Sequence, residues 1–550
     1  MIEQLTDKYD PQQFTSIHEV LDYIRKNHSD RPAYSCFGRT LTYSQVDHYS
    51  TVFASFLTSH KNLNPGDRIA VQLPNLLQFP IVVFGAIKAG MVVVNTNPLY
   101  TAREMRHQFS DSGVKAIVVL ENFCAKLEQI IDETEIELVI TTQLGDLQSL
   151  ARRLITNIVV KYGRRMVPAY KLDTRDLNTI LNRSGEIGEH AMPVPSGDDI
   201  AMILYTGGTT GYAKGVMLSH QNLIANMMQM RSRCEGVIMD EKEIIVAPLP
   251  LYHSYAFLFH CLMMPFAGNQ NILIPNPRDL DTVLGAFDRF RVTGFVGINT
   301  LYAALLNHVN FTRADYSELH FCGAGGMPLS KDIAQQWQQL TGSTVFEGYG
   351  LTECSPVVTL NVPGRHKIGT VGLPMADTEV RVVDDSGVAL GIQQKGELQI
   401  RGPQVMLGYW GRAEETAAVL SEDGWFSTGD IAEIDEDGYI SIVDRKKDMI
   451  LVSGFNVIPA EIEDWVNTHP QVLESAAIGV PDKKTGEAVV LYVVAKDEVL
   501  TAQDLIQFCK KALTGYKLPE VVIFLDDLPK SNIGKVLRRE LKEQFLQSVS

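Results

Sequence analysis

The chain has 550 residues, several times the length of a usual single-core domain, so we expect two or more domains. Hydrophobic residues make up 45% of the sequence and charged residues 21%, which is near the composition of ordinary folded domains and excludes a largely disordered or fibrous chain. The formal net charge of -16 argues against a nucleic-acid-binding protein, because binding to phosphates needs a dominant basic face.

The N-terminus and the cysteines indicate a protein of the cell interior. The first ten residues, MIEQLTDKYD, lack the basic patch and apolar run of a secretory signal. Seven cysteines lie far apart and form no CxxC pair, so we expect neither a disulfide framework nor a zinc site and favour the reducing cytoplasm. The longest apolar stretch, residues 244–266, contains three prolines and two histidines, which predicts buried strand, loop and helix instead of a membrane span.

Short β-rich runs alternate with helical patterns through the first half of the chain. The first of them are RIAVQLP, FPIVVFGAIKAG, MVVVNTN, REMRHQFSDSG and KAIVVL, and the alternation continues from EIIVAPLP to FVGIN. Strands and helices that take turns predict parallel βαβ units. We therefore expect one large α/β body.

Residues 152–171 of this body form a basic segment inside an acidic protein. The segment has no acidic residue and six basic ones, Arg152, Arg153, Lys161, Arg164, Arg165 and Lys171. If the segment is wound as a helix, one side is apolar and consists of Leu154, Ile155, Ile158, Tyr162 and Met166. The opposite side carries Arg153, Lys161, Arg164 and Arg165. A basic amphipathic helix is typical of peripheral contact with a membrane, here the inner face of the cell membrane. A salt-bridged protein surface is the alternative.

After about residue 356 the pattern changes to short strands with turn residues. TEVRVVDDSGVAL, GELQIRGP and FSTGDIAEIDEDGYISIVD predict hairpins and therefore a small β subdomain. The dense charge cluster DRKKD then precedes a new α+β unit that runs to the C-terminus. We place a domain boundary at this cluster, near residues 445–448.

The most informative motif is YTGGTTGYAKG, residues 205–215, which follows the apolar strand IAMIL. Glycines let main-chain N–H groups approach a phosphate closely, threonine hydroxyls donate to its oxygens, and Lys214 supplies a positive charge. The spacing GxxxxGK[ST] occurs nowhere in the chain, which disfavours a P-loop NTPase. The motif therefore predicts a different phosphate-binding loop, and a flexible turn is the alternative.

Five motifs in this order resemble those of the adenylate-forming enzymes, the superfamily of acyl-CoA synthetases, luciferases and peptide-synthetase adenylation domains. They are YTGGTTGYAKG, EGYGLTE (347–353), STGD (427–430), DRKKD (444–448) and PKSNIGK (529–535). The loop has Gly208 where most relatives carry serine and Ala213 where many carry proline, and long-chain bacterial members share both. The resemblance implies an α/β fold, with a large N-terminal body of several subdomains at 1–446 and a smaller mobile α+β C-terminal domain at 447–550.

The resemblance also implies which residues bind ATP. The β- and γ-phosphates are expected at Thr206, Gly207, Gly208, Thr209, Thr210, Gly211 and Lys214. The adenylate is expected at Gly323, Gly325, Gly348, Tyr349, Gly350, Thr352, Asp430 and Arg445. Tyr349 would stack on adenine, Thr352 would contact the α-phosphate, and Asp430 would accept both ribose hydroxyls beside Arg445. Glu353 would be the ligand of Mg²⁺, which prefers hard oxygen atoms, and a solvated surface carboxylate is the alternative. An ordinary strand-to-helix turn is the alternative for Gly323 and Gly325.

Two conformations of the C-terminal domain are implied as well. Lys535 would enter the site for adenylation, because an ammonium stabilises the negative charge that develops on the α-phosphate. CoA must then replace it, and in the family the small domain rotates about one residue, which matches Lys447 here. Rotation would present the CoA-binding residues Ser453, Gly454 and Phe455. A solvated basic face is the alternative for Lys535, and a polar linker is the alternative for DRKKD.

The acid that is activated depends on the lining of the acyl pocket. Residues 251–268 and 297–306 are the candidates, since apolar and methionine-rich walls suit an alkyl chain, although plain core is equally consistent. PNLLQFP, NPLYTAREM, GPQVMLGYW, DRKKDMILVSGFNV and LTGYK resemble bacterial long-chain fatty acyl-CoA synthetases. His253 would then lie at the carboxylate end of the acid, with a hydrogen-bonded core histidine as the alternative.

The resulting hypothesis is a two-step ligase. A long-chain fatty acid and ATP would give an acyl-adenylate and pyrophosphate, and CoA would then give acyl-CoA and AMP. Catalysis would fall to Lys535, Lys214, Thr352, Glu353 and His253. An acyl-AMP ligase that transfers to a carrier protein is one alternative, and a non-catalytic nucleotide-binding module is another.

Overall fold

The computed structural model describes residues 10, 13–182, 192–206, 213–361, 364–453, 455–482, 484–496, 500–531 and 534–548. Within these residues the chain forms two large mixed sheets, a small antiparallel sheet and a separate C-terminal sheet. The predicted class is confirmed: a large α/β body with a small β subdomain precedes a smaller α+β domain.

The eight-stranded sheet contains the alternating elements predicted for the first half of the chain. Its strands lie in the order Gly408–Tyr409, Lys214–Ser219, Ile200–Thr206, Val92–Asn95, Arg68–Gln72, Val114–Leu120, Leu138–Thr142 and Arg175–Asp176. From the third to the last, neighbouring strands run parallel. Their carboxyl ends therefore meet at one edge, which is where parallel sheets usually bind ligands.

The nine-stranded sheet brings the glycine-rich motifs together. Its order is Leu373–Pro374, Val357–Leu360, Val345–Gly350, Phe321–Ala324, Gly294–Gly297, Ile244–Ala247, Gln270–Leu273, Pro32–Cys36 and Arg39–Thr42. The six strands from the third to the eighth are parallel. The largest apolar cluster contains Val71 and Val93 of the eight-stranded sheet and Ile245 and Phe346 of this one, so the two sheets share a core.

The two smaller sheets follow each other directly in the sequence. The small sheet consists of Glu379–Val383, Gly396–Arg401, Phe426–Ile434 and Ile440–Arg445, all antiparallel. The C-terminal sheet consists of Phe455–Val457, Ile450–Val452, Gly486–Ala495 and Val472–Asp482, with Val521–Phe524 beside the third. Only residues 446–449 lie between the last strand of one and the first strand of the other.

Helices cover the sheets and connect their strands. The α-helices are Ile17–His28, Tyr43–Ser59, Gln78–Lys88, Ala102–Ser112, Cys124–Glu128, Leu150–Ile158, Leu177–Leu181, His220–Arg233, Ser254–Phe257, Met264–Phe266, Leu280–Arg289, Asn299–Leu306, Lys331–Thr341, Ala413–Ala417, Pro459–Asn467, Ala502–Cys509 and Arg538–Ser548. Residues 244–266 form buried strand, loop and helix as predicted. None of the helices in the described residues combines the length and apolar character needed to cross a membrane.

The basic segment 152–171 is helical only as far as Gly163. The helix Leu150–Ile158 continues as a π-helical turn, Val159–Gly163, and no helix follows before Leu177. Gly163 and Pro168 both disfavour continuation, and the φ of Arg165 is 51°, outside the helical region. A helix through the whole segment is therefore wrong.

Candidate functional site

A cavity of about 1770 Å³ lies where the four sheets meet. Asn95 of the eight-stranded sheet, Phe321 of the nine-stranded sheet, Phe426 of the small sheet and Ile478 of the C-terminal sheet all line it. The site is therefore built from both parts of the chain, and the C-terminal domain closes one side of it.

The two ends of the glycine- and threonine-rich motif pair with each other at the cavity. Thr206 ends one strand, Lys214 begins the next, and the two residues are antiparallel partners that both line the cavity. Gly207, Gly208, Thr209, Thr210 and Gly211 lie outside the described residues. The ammonium of Lys214 forms an ion pair with Glu415 and lies 5.1 Å from the centre of the Tyr409 ring, a cation–π contact.

Asp430, Arg445 and Tyr349 form one hydrogen-bonded group. Asp430 and Arg445 are partners on neighbouring strands of the small sheet, and the Arg445 Nε donates to Asp430 Oδ1 at 2.8 Å. The Tyr349 hydroxyl donates to the other carboxylate oxygen of Asp430 at 2.5 Å. The structure thus brings together the three residues predicted to hold the nucleoside, although Tyr349 lies far before the other two in the chain.

Gly350 has the tightest backbone in this part of the site. A Cβ at Gly350 would lie 2.1 Å from the carbonyl oxygen of Pro356, which no side chain can do. Gly348, Gly323 and Gly325 also line the cavity, and a Cβ on either of the last two would only reach ordinary contact distance from the Tyr255 side chain. Packing therefore requires glycine at position 350, whereas it tolerates a Cβ at positions 323 and 325.

Thr352 and Glu353 both line the cavity. The Thr352 hydroxyl lies 3.1 Å from that of Ser254, and Glu353 Oε1 accepts a hydrogen bond from the Tyr409 hydroxyl at 3.0 Å. Burial raises the pKa of Glu353 above its ordinary value. A cation beside a buried carboxylate stabilises its ionised form.

His253 begins the short helix Ser254–Phe257 and lines the cavity. Its Nδ1 accepts a hydrogen bond from the Tyr255 N–H at 3.4 Å, and burial lowers the pKa of the ring to about 4. The imidazole is therefore neutral near pH 7, and its proton lies on Nε2. Such a ring can donate one hydrogen bond to a carboxylate but carries no charge.

The apolar wall differs from the prediction in one stretch. Residues 251–268 contribute Tyr252, Tyr255 and Phe259 to the cavity lining, but none of residues 297–306 lines it. The helix Asn299–Leu306 instead buries Leu301, Tyr302 and Leu305 in a separate cluster around Trp337. Further apolar side chains of the lining include Met230, Val296, Phe321, Phe346 and Leu360.

Lys535 reaches the cavity from the C-terminal domain. Burial, and then the positive charges of Arg445 and Lys447, lower the pKa of its ammonium to about 8. The loop that carries it packs directly on the N-terminal body: a Cβ at Gly534, whose φ is 76°, would lie 2.7 Å from the Thr300 hydroxyl. Lys535 therefore lies beside Asp430 and Arg445 in this structure.

The residues on either side of Lys447 are attached to different domains. Lys446 forms ion pairs of 3.1 Å with Asp385 and Glu397 of the body, and Asp448 forms one of 3.5 Å with Arg538 of the C-terminal domain. Lys447 itself lines the cavity.

The predicted CoA-binding residues lie away from the cavity. Neither Ser453 nor Phe455 is among its lining residues, and the Phe455 ring stacks on Tyr516 at 4.7 Å between ring centres. Gly454 lies outside the described residues. The structure thus holds Lys535 in the site and Phe455 outside it, the arrangement that the prediction assigns to the adenylation conformation.

Several residues of the site were not predicted. Tyr409 donates a hydrogen bond to Glu353, and Glu415 forms an ion pair with Lys214. Asp111 accepts hydrogen bonds from Tyr205 and Arg412, both at 2.7 Å. In the sequence, the motif GYW precedes Glu415 and belongs to the stretch GPQVMLGYW that carries the resemblance. The charged residues in GRAEET, which follow it, are the one sequence signal that this stretch does more than connect strands.

Comparison with known proteins places this site in a family. A model described as AMP-binding enzyme matches residues 21–410, and one described as AMP-binding enzyme C-terminal domain matches residues 461–535. The long-chain-fatty-acid–CoA ligase of Yersinia pestis is 47% identical over 97% of this chain and 95% of its own length.

Solved structures support the same placement. The ATP-bound crystal structure of MatB from Rhodopseudomonas palustris is 28% identical, covers 96% of this chain and 99% of its own, and has a TM-score of 0.84. The apo structure of the same protein covers 97% of this chain and all of its own but has a TM-score of 0.72. By this measure the structure of this chain is more similar to the ATP-bound form than to the apo form. The chain belongs to the AMP-binding, adenylate-forming enzymes, and within them to the group of the bacterial long-chain-fatty-acid–CoA ligases.

Proposed function

We propose that this chain joins long-chain fatty acids to CoA in two steps. A fatty acid and ATP give an acyl-adenylate and pyrophosphate, and CoA then displaces AMP to give acyl-CoA. The observation that carries the proposal is that Lys535, Arg445, Tyr349 and an apolar wall line one cavity, where Asp430 binds both Arg445 and Tyr349. The similarity to long-chain-fatty-acid–CoA ligases agrees with it.

The first step needs positioning and charge more than proton transfer. The fatty carboxylate is ionised near neutral pH and is itself the nucleophile. His253 Nε2–H orients it by a hydrogen bond, while Thr352 and Lys535 face the α-phosphate, where negative charge develops in the transition state. Thr206, Lys214 and the glycines and threonines between them in the sequence hold the β- and γ-phosphates, and Asp430 and Arg445 hold the ribose.

Mg²⁺ fits this site with Glu353 as its protein ligand. No group of three or more acidic, histidine or cysteine side chains that could hold a metal occurs in the described part of the chain. The ion would therefore take its other ligands from phosphates and water, which suits the preference of Mg²⁺ for one or two carboxylates plus phosphates. Bound there, Mg²⁺ neutralises phosphate charge as a Lewis acid.

The second step requires the C-terminal domain to move. We propose a boundary between residues 446 and 447 and a hinge at Lys447, so that the domains span 1–446 and 447–550. The opposite attachments of Lys446 and Asp448 support this position. Rotation would withdraw Lys535 and bring Ser453, Gly454 and Phe455 to the site, where CoA would pass.

The test of the function is product analysis. With a long-chain fatty acid, ATP, Mg²⁺ and CoA, we expect acyl-CoA, AMP and pyrophosphate in equal amounts, and without CoA we expect enzyme-bound acyl-adenylate. Formation of ADP, or transfer of the acyl group only to a carrier protein and not to CoA, would contradict the proposal.

Glu415→Gln should lower the KM for ATP in the adenylation step. The Glu415 carboxylate competes with the phosphates for Lys214 and repels them, and both charged groups are partly exposed. Such a pair is worth up to about 1 kcal/mol, so we expect a decrease of about two- to fivefold. The matched control is Glu414→Gln, which removes the same charge from the neighbouring residue. An equal effect of both substitutions, or an increase in KM, would rule out this role.

We also propose that the enzyme works in the cytoplasm and attaches peripherally to the inner face of the cell membrane. All seven cysteines are buried and free, as suits a reducing compartment. A long-chain fatty acid partitions into the bilayer, and residues 152–171 are basic in a chain of net charge -16, which favours contact with anionic lipid.

A further inference from the structure

The helix Leu150–Ile158 and the turn after it present their apolar side to solvent. Seven large apolar side chains form this exposed apolar face: Leu150 (66% exposed), Leu154 (51%), Ile155 (64%), Ile158 (55%), Val159 (44%), Tyr162 (70%) and Met166 (51%). Val160 is the one buried residue of the helical stretch. A cluster of this kind is rare on a surface that meets only water.

The polar side of the same segment attaches it to the body. Asn157 accepts a hydrogen bond from the Gly145 N–H at 2.8 Å and donates one to Gln143 Oε1 at 2.7 Å. The Lys161 ammonium pairs with Glu121 at 2.6 Å. A surface helix normally buries its apolar side. Here the orientation is reversed, and turning the helix over would break these three contacts.

Unpaired positive charges accompany the exposed apolar face. In the described part of the chain no carboxylate lies within ion-pair distance of five basic side chains, namely Arg152, Arg153, Arg164, Arg165 and Lys171. Lys161 does not belong to this set because Glu121 neutralises it. The surface is therefore apolar at its centre and cationic beside it.

We propose that the exposed apolar face inserts into the headgroup region of an anionic phospholipid bilayer while the four exposed cations of this set, Arg152, Arg164, Arg165 and Lys171, contact lipid phosphates. This rests on the proposed peripheral attachment and assigns it to particular side chains. An apolar helix side with basic residues beside it is the pattern of interfacial helices, which lie about 5–10 Å deep. A second copy of the chain suits the surface less well, because a symmetric contact would oppose the same cations to each other.

Vesicle flotation of the full-length enzyme tests the apolar part. We expect binding to vesicles of phosphatidylcholine and phosphatidylglycerol in equal parts and little binding to phosphatidylcholine alone. The combined variant Leu154→Gln, Ile155→Gln, Ile158→Gln should lower the partition coefficient at least about tenfold. Its matched control, Val309→Gln, Val388→Gln, Ile392→Gln, changes equally exposed side chains elsewhere and should bind like wild type.

A second pair of variants tests the charges. Arg164→Glu with Arg165→Glu should weaken binding at least about tenfold at low salt, since each basic residue near an anionic surface contributes about fivefold. Raised salt should narrow the difference, because it screens the attraction. The control, Arg278→Glu with Lys395→Glu, makes the same change of charge at exposed residues away from the segment and should have little effect.

Tryptophan fluorescence locates the contact. Quenching by brominated lipids should increase for Ile158→Trp relative to wild type and should not increase for Val309→Trp.

If wild type floats with the vesicles and the three glutamine substitutions leave flotation unchanged, this placement is wrong although peripheral attachment stands. If wild type does not float at all, both are wrong. If these substitutions abolish only self-association, seen by sedimentation velocity, the occupant is a second copy and the proposal is overturned. Activity on a soluble medium-chain acid should remain in every variant, which separates this test from the ligase reaction.

Discussion

Lys535→Ala is expected to slow acyl-adenylate formation by about 10²–10³-fold, the usual effect of removing one group that stabilises charge in a transition state. Lys535 lies in the cavity next to Asp430 and Arg445, and its side chain is not needed to shape its loop. The hydrogen bonds across that loop use the backbone of Lys535, with the N–H on Ser531 Oγ at 3.2 Å and the C=O accepting from the Ser531 N–H at 2.7 Å. The measurement is pyrophosphate release in the absence of CoA.

The second half-reaction is the internal control for this variant. CoA transfer from supplied acyl-adenylate should be largely unchanged in Lys535→Ala, since the lysine must leave the site before CoA enters. Lys510→Ala, which removes an exposed charge from the same domain, should leave both steps unchanged. Equal losses in both half-reactions of Lys535→Ala would show that the lysine has a structural role.

The rate of adenylation should depend on pH through the charge of the Lys535 ammonium. Because the pKa of Lys535 is lowered to about 8, the charged form is present below that pH and is lost above it. We expect kcat/KM for adenylation, which reflects the free enzyme, to fall as the pH rises through about 8. Bound ATP adds negative charge that favours the ammonium, so the corresponding fall in kcat should occur at higher pH. In Lys535→Arg this limb should disappear, since arginine stays charged.

Lys447→Pro should allow the first acyl-adenylate to form and then block CoA transfer. Proline fixes φ near -65°, so a residue that must change φ during the rotation can no longer do so. An increase of about 1.4 kcal/mol in the barrier to the rotation lowers the rate of rotation about tenfold. We therefore expect steady-state turnover to fall at least about tenfold. Rapid-quench measurements should show one burst of acyl-adenylate per active site.

The position of Lys447 makes this variant informative. It lies in a turn closed by a hydrogen bond from the Asp448 N–H to the Arg445 C=O at 3.0 Å. Within the described residues, no backbone carbonyl accepts from the Lys447 N–H, so proline removes no such bond. Lys447→Ala, which keeps φ free, should support turnover. Unchanged turnover in Lys447→Pro, or loss of the adenylate burst as well, would place the hinge elsewhere.

The residue types and their order along the chain were sufficient to predict the architecture. Alternating apolar runs and helical patterns predicted parallel strands because each βαβ unit is encoded within a short stretch of sequence. The roles of Asp430, Arg445, Tyr349 and Lys535 were instead implied by the resemblance of their motifs to those of the adenylate-forming enzymes, and these roles stay predictions. Strand pairing brings Asp430 and Arg445 together, whereas the C-terminal domain brings Lys535 to the cavity.

Other features depended on contacts between distant parts of the chain. The pairing of Glu415 with Lys214 and the packing of the helix Asn299–Leu306 away from the cavity could not be predicted, because each depends on which surface lies opposite. The basic segment shows this most clearly. Its sequence determined two sides, one apolar and one polar, but hydrogen bonds from Asn157 and the ion pair of Lys161 with Glu121 decided that the polar side faces the protein. Amphipathic periodicity specifies that a helix has two faces, whereas the neighbouring surface decides which of them is buried.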